Sequence, residues 1–556
     1  MHNSNLEIVA EEGAKFKVAN GVSTDPSPKS MGIFSTNEVL SGVYIRNLEI
    51  DMNGANNPIS PLRPTYNRYN QAAILVSGTP GGVAARIDDV VIDNCTFRNN
   101  PGVCDIVVAQ SNSTGVTLGK RWRITNNKFL DNGLDTDDHT AVFAWADDVE
   151  FSGNIVLNTT GFATVGHTGG NTCYEIHGQN HKVINNLFVN YIRGVWVSSN
   201  LTVAQVKGSI ISGNHFYTHF YGVDFFRTIA ALSQSVDTII TNNYFNFDGY
   251  TYSSPVPQQK AAINVASEYA QKSILICNNI GKSTDNIVGS TFLTVTPQSV
   301  AGQTHDDINL IGNKCTGFLN LASITTNATN GLGCITIKGN RYSDGLASPT
   351  FATTIACFIK PTSTIKSLVI DNNEFVDVQT SPSSNYGTYM ETGDITRFSY
   401  KGNLHVGMTV LDYYEAGAVT YDRVAEFVNV AYTPTVAGGG TPITIGDGSV
   451  NGRWSINGKD VTLDARLTVG TTTSIPAGAL SFSAPFTAKS SSHSYLGQWK
   501  IFDSSGGLFR TGVCNIDGTA NTIDLLLDGG TFVTNAAPIA MASGDVVSIA
   551  VNYQSV

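Results

Sequence analysis

Two carboxylates and a tryptophan occupy equivalent positions in three short segments that are typical of β-strands. The three residues are Glu175, Trp196 and Asp224, and each is the middle residue of a five-residue run: 173–177, 194–198 and 222–226. One carboxyl group of such a pair can protonate the leaving oxygen of a glycosidic bond while the other activates a water. An indole ring offers an apolar plate for the face of a sugar. We therefore predict Glu175 as the general acid and Asp224 as the general base of glycoside hydrolysis.

A long series of repeats must position these residues. Each repeat has alternating apolar residues, a polar pair, an Asn and an apolar residue two positions later, followed after a loop by a second short strand. The Asn recurs ten times, on average about 31 residues apart: Asn127, Asn154, Asn186, Asn214, Asn243, Asn279, Asn313, Asn340, Asn373 and Asn403. One such unit cannot bury its apolar face alone, whereas stacked copies share a continuous core. The pattern predicts an all-β chain with a right-handed parallel β-helix of about 12 turns, in which the Asn column is structural.

The alignment of repeats also predicts which side chains face outward, because strand side chains alternate between two faces. The outward row on the second strand of successive turns holds these residues: Phe143, Glu175, Trp196, Asp224 and Asn264. Trp145 and His177 lie in the next outward row. Adjacent strands are about 4.8 Å apart, so the backbones of Glu175 and Asp224 are expected about 9.6 Å apart. Side-chain flexing brings the carboxyl groups into the roughly 6.5–9.5 Å range of inverting glycosidases.

The same outer face supplies candidate sugar contacts. We predict substrate binding by six residues: Trp196, His177, Phe143, Trp145, Asn264 and Arg227. Arg193, Arg227 and Lys207 could each contact an acidic sugar, or serve a lyase in which a base removes the proton α to a uronate carboxylate. Each of the three also fits a solvated surface charge, and so do the two paired acids.

Other polar residues near these turns fit structural roles. The acidic loop 134–139 could bind Ca²⁺ or reach the groove, but it lacks the spacing of an EF-hand. His167 and His181 flank the Glu175 strand without the clustered partners that a metal site needs. We therefore predict no metal and no cofactor.

Composition excludes several classes of function. The formal net charge is −11 and no Lys/Arg-rich run is present, which argues against a nucleic-acid partner. No run of 18 apolar residues indicates membrane insertion. The eight Cys form no CxxC pair and most lie among apolar strand residues, as buried thiols do. The first residues lack the features of a signal peptide.

The sequence pattern changes near residue 419. The Asn corners stop, and longer alternating strands appear, separated by Gly, Ser and Thr: 460–469, 522–528 and 545–553. This pattern is typical of an antiparallel β-sandwich. We predict a β-helix domain at 1–418 and a C-terminal domain at 419–556.

Two sets of residues resemble a known family. The Val/Ile-x-Asn-Asn-x-Phe turns resemble the right-handed parallel β-helix of pectate-lyase-like proteins. The stretch Tyr432-Thr-Pro-Thr, the segment 452–467 and Ala484-Pro-Phe resemble the C-terminal domain of phage tail fibres and tailspikes. Together they resemble a bacteriophage tailspike depolymerase.

This resemblance implies a homotrimer on the virion tail that acts at the bacterial cell surface, where it binds and cuts a capsule or O-antigen polysaccharide. It also implies attachment to the rest of the tail through an N-terminal part that this sequence lacks. For the two domains it implies that 1–418 binds and cleaves polysaccharide and that 419–556 forms trimers or binds carbohydrate. The family has no catalytic motif shared by all members, so the resemblance assigns no catalytic residue. Hydrolase, lyase and non-catalytic adhesin remain open, because a β-helix hosts all three.

Overall fold

The described part of the chain is almost entirely β-structure. The computed structural model describes residues 6–11, 13–21, 34–36, 39–57, 72–77, 86–109, 119–133, 139–159, 171–198, 206–218, 220–225, 235–247, 260–266, 270–284, 289–297, 304–327, 329–346, 354–378, 384–391, 393–408, 411–415, 419–424, 426–457, 460–489, 495–516, 521–527 and 530–555. These ranges contain no α-helix, and a single 3-10 turn spans Gly54–Asn56. Within them, no helix is long and apolar enough to cross a membrane.

Three parallel sheets form the walls of a coil, because the chain passes through the three sheets in turn and strands of successive turns pair with one another. Among the described strands of these three sheets, only Val206–Lys207 and Ile210–Ser212 follow one another in the same sheet. Sheet 1 contains Leu6–Val9, Val39–Arg46, Arg86–Asp93, Gly119–Thr125, Asp147–Ser152, Lys182–Ile184, Val206–Lys207, Ile210–Ser212, Ser235–Thr241, Gln271–Cys277, Asp306–Ile311, Leu332–Lys338, Ile365–Asp371, Gly393–Lys401 and Val419–Val424. Sheet 2 contains Lys15–Lys17, Glu49–Asp51, Thr96–Arg98, Lys128–Leu130, Ile155–Leu157, Leu187–Val189, His215–Tyr217, Tyr244–Phe247, Ile280–Ser283, Lys314–Thr316, Arg341–Ser343, Glu374–Val376 and Leu404–Val406. Sheet 3 contains Phe34–Thr36, Ile74–Ser77, Cys104–Ala109, Thr140–Ala144, Thr172–Ile176, Arg193–Val197, Tyr221–Phe225, Lys260–Val265, Ser290–Val295, Asn320–Thr325, Thr354–Lys360, Ser384–Met390 and Leu411–Glu415.

The predicted fold class, an all-β parallel solenoid, is confirmed. The number of turns differs from the predicted 12, since sheets 2 and 3 each have 13 described strands. The earliest turns, before residue 85, lack the Asn that marks the later ones, so the sequence pattern does not count them reliably.

The Asn column forms a hydrogen-bonded ladder along one corner of the coil. Asn214 is typical: its Nδ2 donates to Oδ1 of Asn243 at 2.9 Å and to the carbonyl of Val183 at 2.8 Å, while its Oδ1 accepts the backbone N–H of Asn186 at 2.9 Å. The same amide contact joins all ten residues, from Asn127 to Asn403. The predicted structural role of this column is confirmed.

The interior is apolar and regularly stacked. Phenylalanines of successive turns lie over one another, as in Phe97 and Phe129 with ring centroids 4.9 Å apart, and Phe216 and Phe245 at 4.8 Å. All four rings are essentially inaccessible to solvent. This stacked core fixes the spacing of the turns and therefore the positions of side chains on the outer faces.

The C-terminal strands form one antiparallel sheet of ten strands. In spatial order they are Glu426–Tyr432, Ser449–Asn457, Asp460–Thr468, Val546–Gln554, Tyr495–Asp503, Leu508–Ile516, Thr522–Leu526, Leu480–Ser483, Val436–Gly438 and Thr441–Pro442. The sequence predicts the antiparallel strands of a two-sheet sandwich, but the hydrogen bonds run through a single sheet. Val546–Gln554, the last strand in the chain, lies in the middle of the sheet, since it pairs with both Asp460–Thr468 and Tyr495–Asp503.

The chain divides into two compact units. One comprises residues 1–395 and 403–420, and the other comprises 396–402 and 421–556. The roles that the sequence predicts for the two domains, 1–418 and 419–556, stay predictions.

Candidate functional site

The outer row of sheet 3 has the register that the sequence predicts. Phe143 pairs with Glu175, Glu175 with Trp196, Trp196 with Asp224, and Asp224 with Asn264. Trp196 therefore occupies the strand between the two acids. Two strand spacings separate the backbones of Glu175 and Asp224, which is about 9.6 Å.

Each of these strands also departs from strict alternation just before the central residue. A Cβ atom at Gly194 would collide with the buried ring of Phe216, and the next residue, Val195, is also completely buried. Two consecutive inward positions bring Arg193 onto the same outer face as Trp196. The strand of Asp224 repeats this geometry, so Tyr221 joins the outer face as well, as its contact with Arg193 shows.

Glu175 lies in a small cluster with an imidazole. Its Oε1 accepts a hydrogen bond from the hydroxyl of Thr140, and its Oε2 lies 2.8 Å from Nε2 of His177. The imidazole stacks on Phe143, with centroids 4.3 Å apart, and on Trp145, at 5.3 Å. Glu175 is thus held on two sides, and its partner His177 is held by two aromatic rings.

Asp224 lies in a second cluster built around a guanidinium group. Nε of Arg193 donates to its Oδ2 at 2.6 Å, and Nδ2 of Asn264 donates to its Oδ1 at 2.8 Å. Complete burial raises the pKa of Asp224, and the charge and hydrogen bonds of Arg193 and Asn264 act in the opposite direction. The guanidinium carbon of Arg193 also lies 5.0 Å from the ring centroid of Trp196 and 5.6 Å from that of Tyr221, within cation–π range.

Tyr221 completes this cluster as a neutral phenol. Burial and the nearby carboxylate of Asp224 raise the pKa of Tyr221 to about 12, with Arg193 opposing them. Its hydroxyl therefore keeps its proton at neutral pH.

The exposure predicted for the two acids is wrong. Glu175 is 4% exposed and Asp224 is 0% exposed, although both belong to the outer row. Alternation predicts the face on which a side chain lies, but neighbouring polar and aromatic groups on that face cover these carboxyls. Trp145, His177 and Asn264 are buried too, whereas Phe143 and Trp196 are half-buried.

Several predicted residues fall elsewhere. Arg227 lies outside the described residues, as do His167 and residues 134–138 of the acidic loop. Lys207 is exposed on the short strand Val206–Lys207 of sheet 1 and so does not share the sheet 3 row.

His181 has a structural role. It is fully buried, with Nδ1 2.8 Å from the hydroxyl of Tyr174 and Nε2 2.7 Å from the carbonyl of Ala146. Among the described residues, no group of three or more His, Cys, Asp and Glu side chains could hold a metal ion.

Sequence reasoning missed Thr140 and Tyr221, and it placed Arg193 only near the site. Strict alternation assigns Arg193 and Tyr221 to the interior because each precedes the central residue of its strand by three positions. The signal that could have found them is the glycine at 194 and again at 222, since a Gly facing a Phe ring in the core marks an extra inward position.

No protein-family model matches the chain, and no curated protein matches it. Solved structures of the tailspike protein of E. coli bacteriophage HK620 do match, each covering 99% of this chain and 87% of that chain. A double mutant with bound pentasaccharide is 11% identical with a TM-score of 0.52, and a single mutant with pentasaccharide is 12% identical with a TM-score of 0.51. The tailspike without these mutations, also with pentasaccharide, is 12% identical with a TM-score of 0.50. At this identity the likeness concerns the fold, and in fold this chain is similar to a phage tailspike protein.

Proposed function

We propose that this chain is a phage tailspike that hydrolyses glycosidic bonds of a bacterial surface polysaccharide, either capsule or O-antigen. The observation that carries the proposal is the register that sets Glu175, Trp196 and Asp224 side by side on one outer face of the coil. The shared fold supports it, since the HK620 tailspike structures contain a bound pentasaccharide.

Glu175 is the proposed general acid. Its proton passes to the glycosidic oxygen as the bond between that oxygen and the anomeric carbon breaks, and the carboxyl group becomes a carboxylate. Thr140 and His177 both contact this carboxyl group, and donors at these positions stabilise the charge that develops on it.

Asp224 is the proposed general base. A water attacks the anomeric carbon from the opposite side and gives a proton to this carboxylate, so that the net reaction adds one water across the broken bond. Arg193 and Asn264 each occupy one of its oxygens. Each carboxylate oxygen has a second lone pair, which leaves acceptor capacity for the attacking water.

The proposal requires movement of side chains on the outer face of sheet 3, because both carboxyls are buried beneath that face. Phe143 and Trp196 are the half-buried rings beside them. They are the proposed first sugar contacts, and displacement of Trp196, which lies between the two acids, by an entering polysaccharide would uncover Glu175 and Asp224.

A direct test compares Glu175→Gln with Glu150→Gln on purified capsule or O-antigen. Glu150 is a matched control because it is a partly buried glutamate on a strand of sheet 1. We expect release of new reducing ends to fall at least about 10³-fold in Glu175→Gln and to stay at the wild-type rate in Glu150→Gln. Equal rates in wild type and Glu175→Gln would contradict the assignment.

The cluster around Asp224 favours a second candidate, a polysaccharide lyase. Arg193 could neutralise a uronate carboxylate while Asp224 removes the adjacent proton. Unsaturated products that absorb in the ultraviolet would select this candidate over hydrolysis. Binding without any released oligosaccharide would select the adhesin.

We also propose that the chain works as a homotrimer on the virion tail and at the bacterial cell surface. The likeness in fold to a bacteriophage tailspike protein supports the place on the virion tail. The outer face of sheet 1 offers an apolar contact stripe, with Ile210, Ile239 and Leu275 in register on adjacent strands. Light scattering on the purified chain should give three chains per particle, and a monomer would contradict the proposal.

A further inference from the structure

His177 is placed to act on Glu175 rather than on a sugar. The sequence predicts that His177 binds sugar, but the side chain is only 2% exposed and its imidazole does not reach the surface. Its Nε2 lies 2.8 Å from Oε2 of Glu175. Among the described residues, its Nδ1 has no hydrogen-bond partner.

The aromatic neighbours fix the orientation of this ring. The imidazole lies over Phe143 with an interplanar angle of 28° and over Trp145 with an angle of 21°. Both rings come from the preceding turn of sheet 3, whose pairing with the Glu175 strand is set by backbone hydrogen bonds. Rotation of the imidazole away from Glu175 would lose both stacking contacts.

We infer that His177 is a positioning residue, which holds the Glu175 carboxyl group for proton transfer and stabilises the carboxylate formed when the proton leaves. The inference rests on the proposed function, because it assumes that Glu175 is the acid. A hydrogen bond to an ionised carboxylate is stronger than one to its neutral form. The contact therefore stabilises the transition state more than the ground state, and it lowers the barrier without binding substrate.

A positioning role and a sugar-binding role for His177 predict changes in different kinetic constants. Removing a group that acts only through Glu175 lowers kcat, whereas removing a sugar contact raises KM. We expect His177→Leu to lower kcat about 10²-fold with KM within about twofold of wild type. His177→Gln keeps a side-chain N–H donor of similar reach, so it should recover most of the lost rate.

A double-mutant cycle distinguishes an effect of His177 that acts through Glu175 from a general effect on the structure. In a Glu175→Gln background, His177→Leu should cause almost no further loss, since the group through which it acts is gone. His215→Gln is the matched control, because His215 is an exposed histidine on sheet 2. It should leave kcat and KM unchanged in both backgrounds. Melting temperatures of all variants identify any that are misfolded. If His177→Leu is misfolded, His177→Gln replaces it in the cycle.

The outcomes distinguish the inference from the proposed function. If wild type cleaves and Glu175→Gln does not, a His177→Leu variant with normal kcat, or with a raised KM alone, overturns the inference only. Equal losses from His177→Leu in both backgrounds would also overturn it. If wild type releases no product, or Glu175→Gln remains active, the proposed function fails and the inference fails with it.

Discussion

Two columns of side chains run along the same coil and differ in one respect. The corner column repeats one residue from Asn127 to Asn403, and the same amide contact joins each member to the next. The outer row of sheet 3 changes residue at almost every turn, from Phe143 through Glu175 to Asn264. The fold supplies both columns with equivalent positions, so repetition marks the positions that serve the scaffold. Variation among charged and aromatic residues marks the positions that are available for chemistry.

Asp224→Asn should produce the largest effect on this comparison. It removes the proposed base, so we expect kcat to fall about 10²- to 10³-fold. It also leaves Arg193 without its carboxylate, which we expect to cost about 3 kcal/mol of unfolding free energy. Kinetics and denaturant unfolding measure the two effects separately. The double variant Asp224→Asn/Arg193→Gln should regain stability but not activity, and recovery of activity would remove Asp224 from the mechanism.

Asn214→Ala should have the opposite profile. It leaves the buried N–H of Asn186 and the carbonyl of Val183 without their side-chain partner, and we expect a loss of about 3 kcal/mol in unfolding free energy. The rate of glycan cleavage below the melting temperature should not change. Asn309→Ala, on the outer face of sheet 1, is the control and should change stability by less than about 0.5 kcal/mol. A wild-type unfolding free energy for Asn214→Ala would contradict the structural role of the Asn column.

Buried histidine gives the scaffold a predictable response to acid. Burial lowers the pKa of His181 to about 4 from 6.5, so the unfolded chain binds more protons than the folded chain between these values. Stability therefore rises with pH across this window, and lowering the pH from 7 to 5 should cost about 2 kcal/mol through this group. His305 is lowered in the same way and adds to the effect. Urea unfolding of His181→Gln at both pH values should show a smaller difference than wild type, and an unchanged difference would exclude His181 as a source.

Trp196→Ala should have the smallest effect of these changes. Loss of the indole removes a proposed stacking surface for sugar, and we expect KM to rise about tenfold with little change in kcat. Isothermal titration with an oligosaccharide in a Glu175→Gln background checks the binding loss directly. A matched Trp454→Phe variant in the C-terminal sheet should bind normally. Unaltered binding by Trp196→Ala would move the sugar site elsewhere on the coil.

The sequence predicts the register of the outer row because the Asn column provides a fixed reference in the turns from Asn127 onward. This reference aligns Glu175 with Asp224 from the sequence alone. Strict alternation could not place Arg193 or Tyr221, because an extra inward residue precedes the central position of each strand. Nor could it predict the burial of the two acids, which depends on side-chain contacts such as Arg193 with Asp224 and His177 with Glu175.

The C-terminal region shows the same limit of prediction from sequence. Alternation predicts its antiparallel strands, as in Asp460–Thr468, where exposed and buried residues alternate without exception up to the last position. It does not specify which strands pair. The pairing of Val546–Gln554 with two distant strands produces one sheet, and pairing partners far apart in sequence leave no local pattern.

The most direct test of glycoside hydrolysis is digestion of the purified polysaccharide in water labelled with oxygen-18, followed by mass spectrometry of the products. We expect each cleavage by the wild-type chain to add one labelled water, and Glu175→Gln to yield no labelled product under the same conditions. Products lighter by one water, or intact polysaccharide after wild-type treatment, would contradict it.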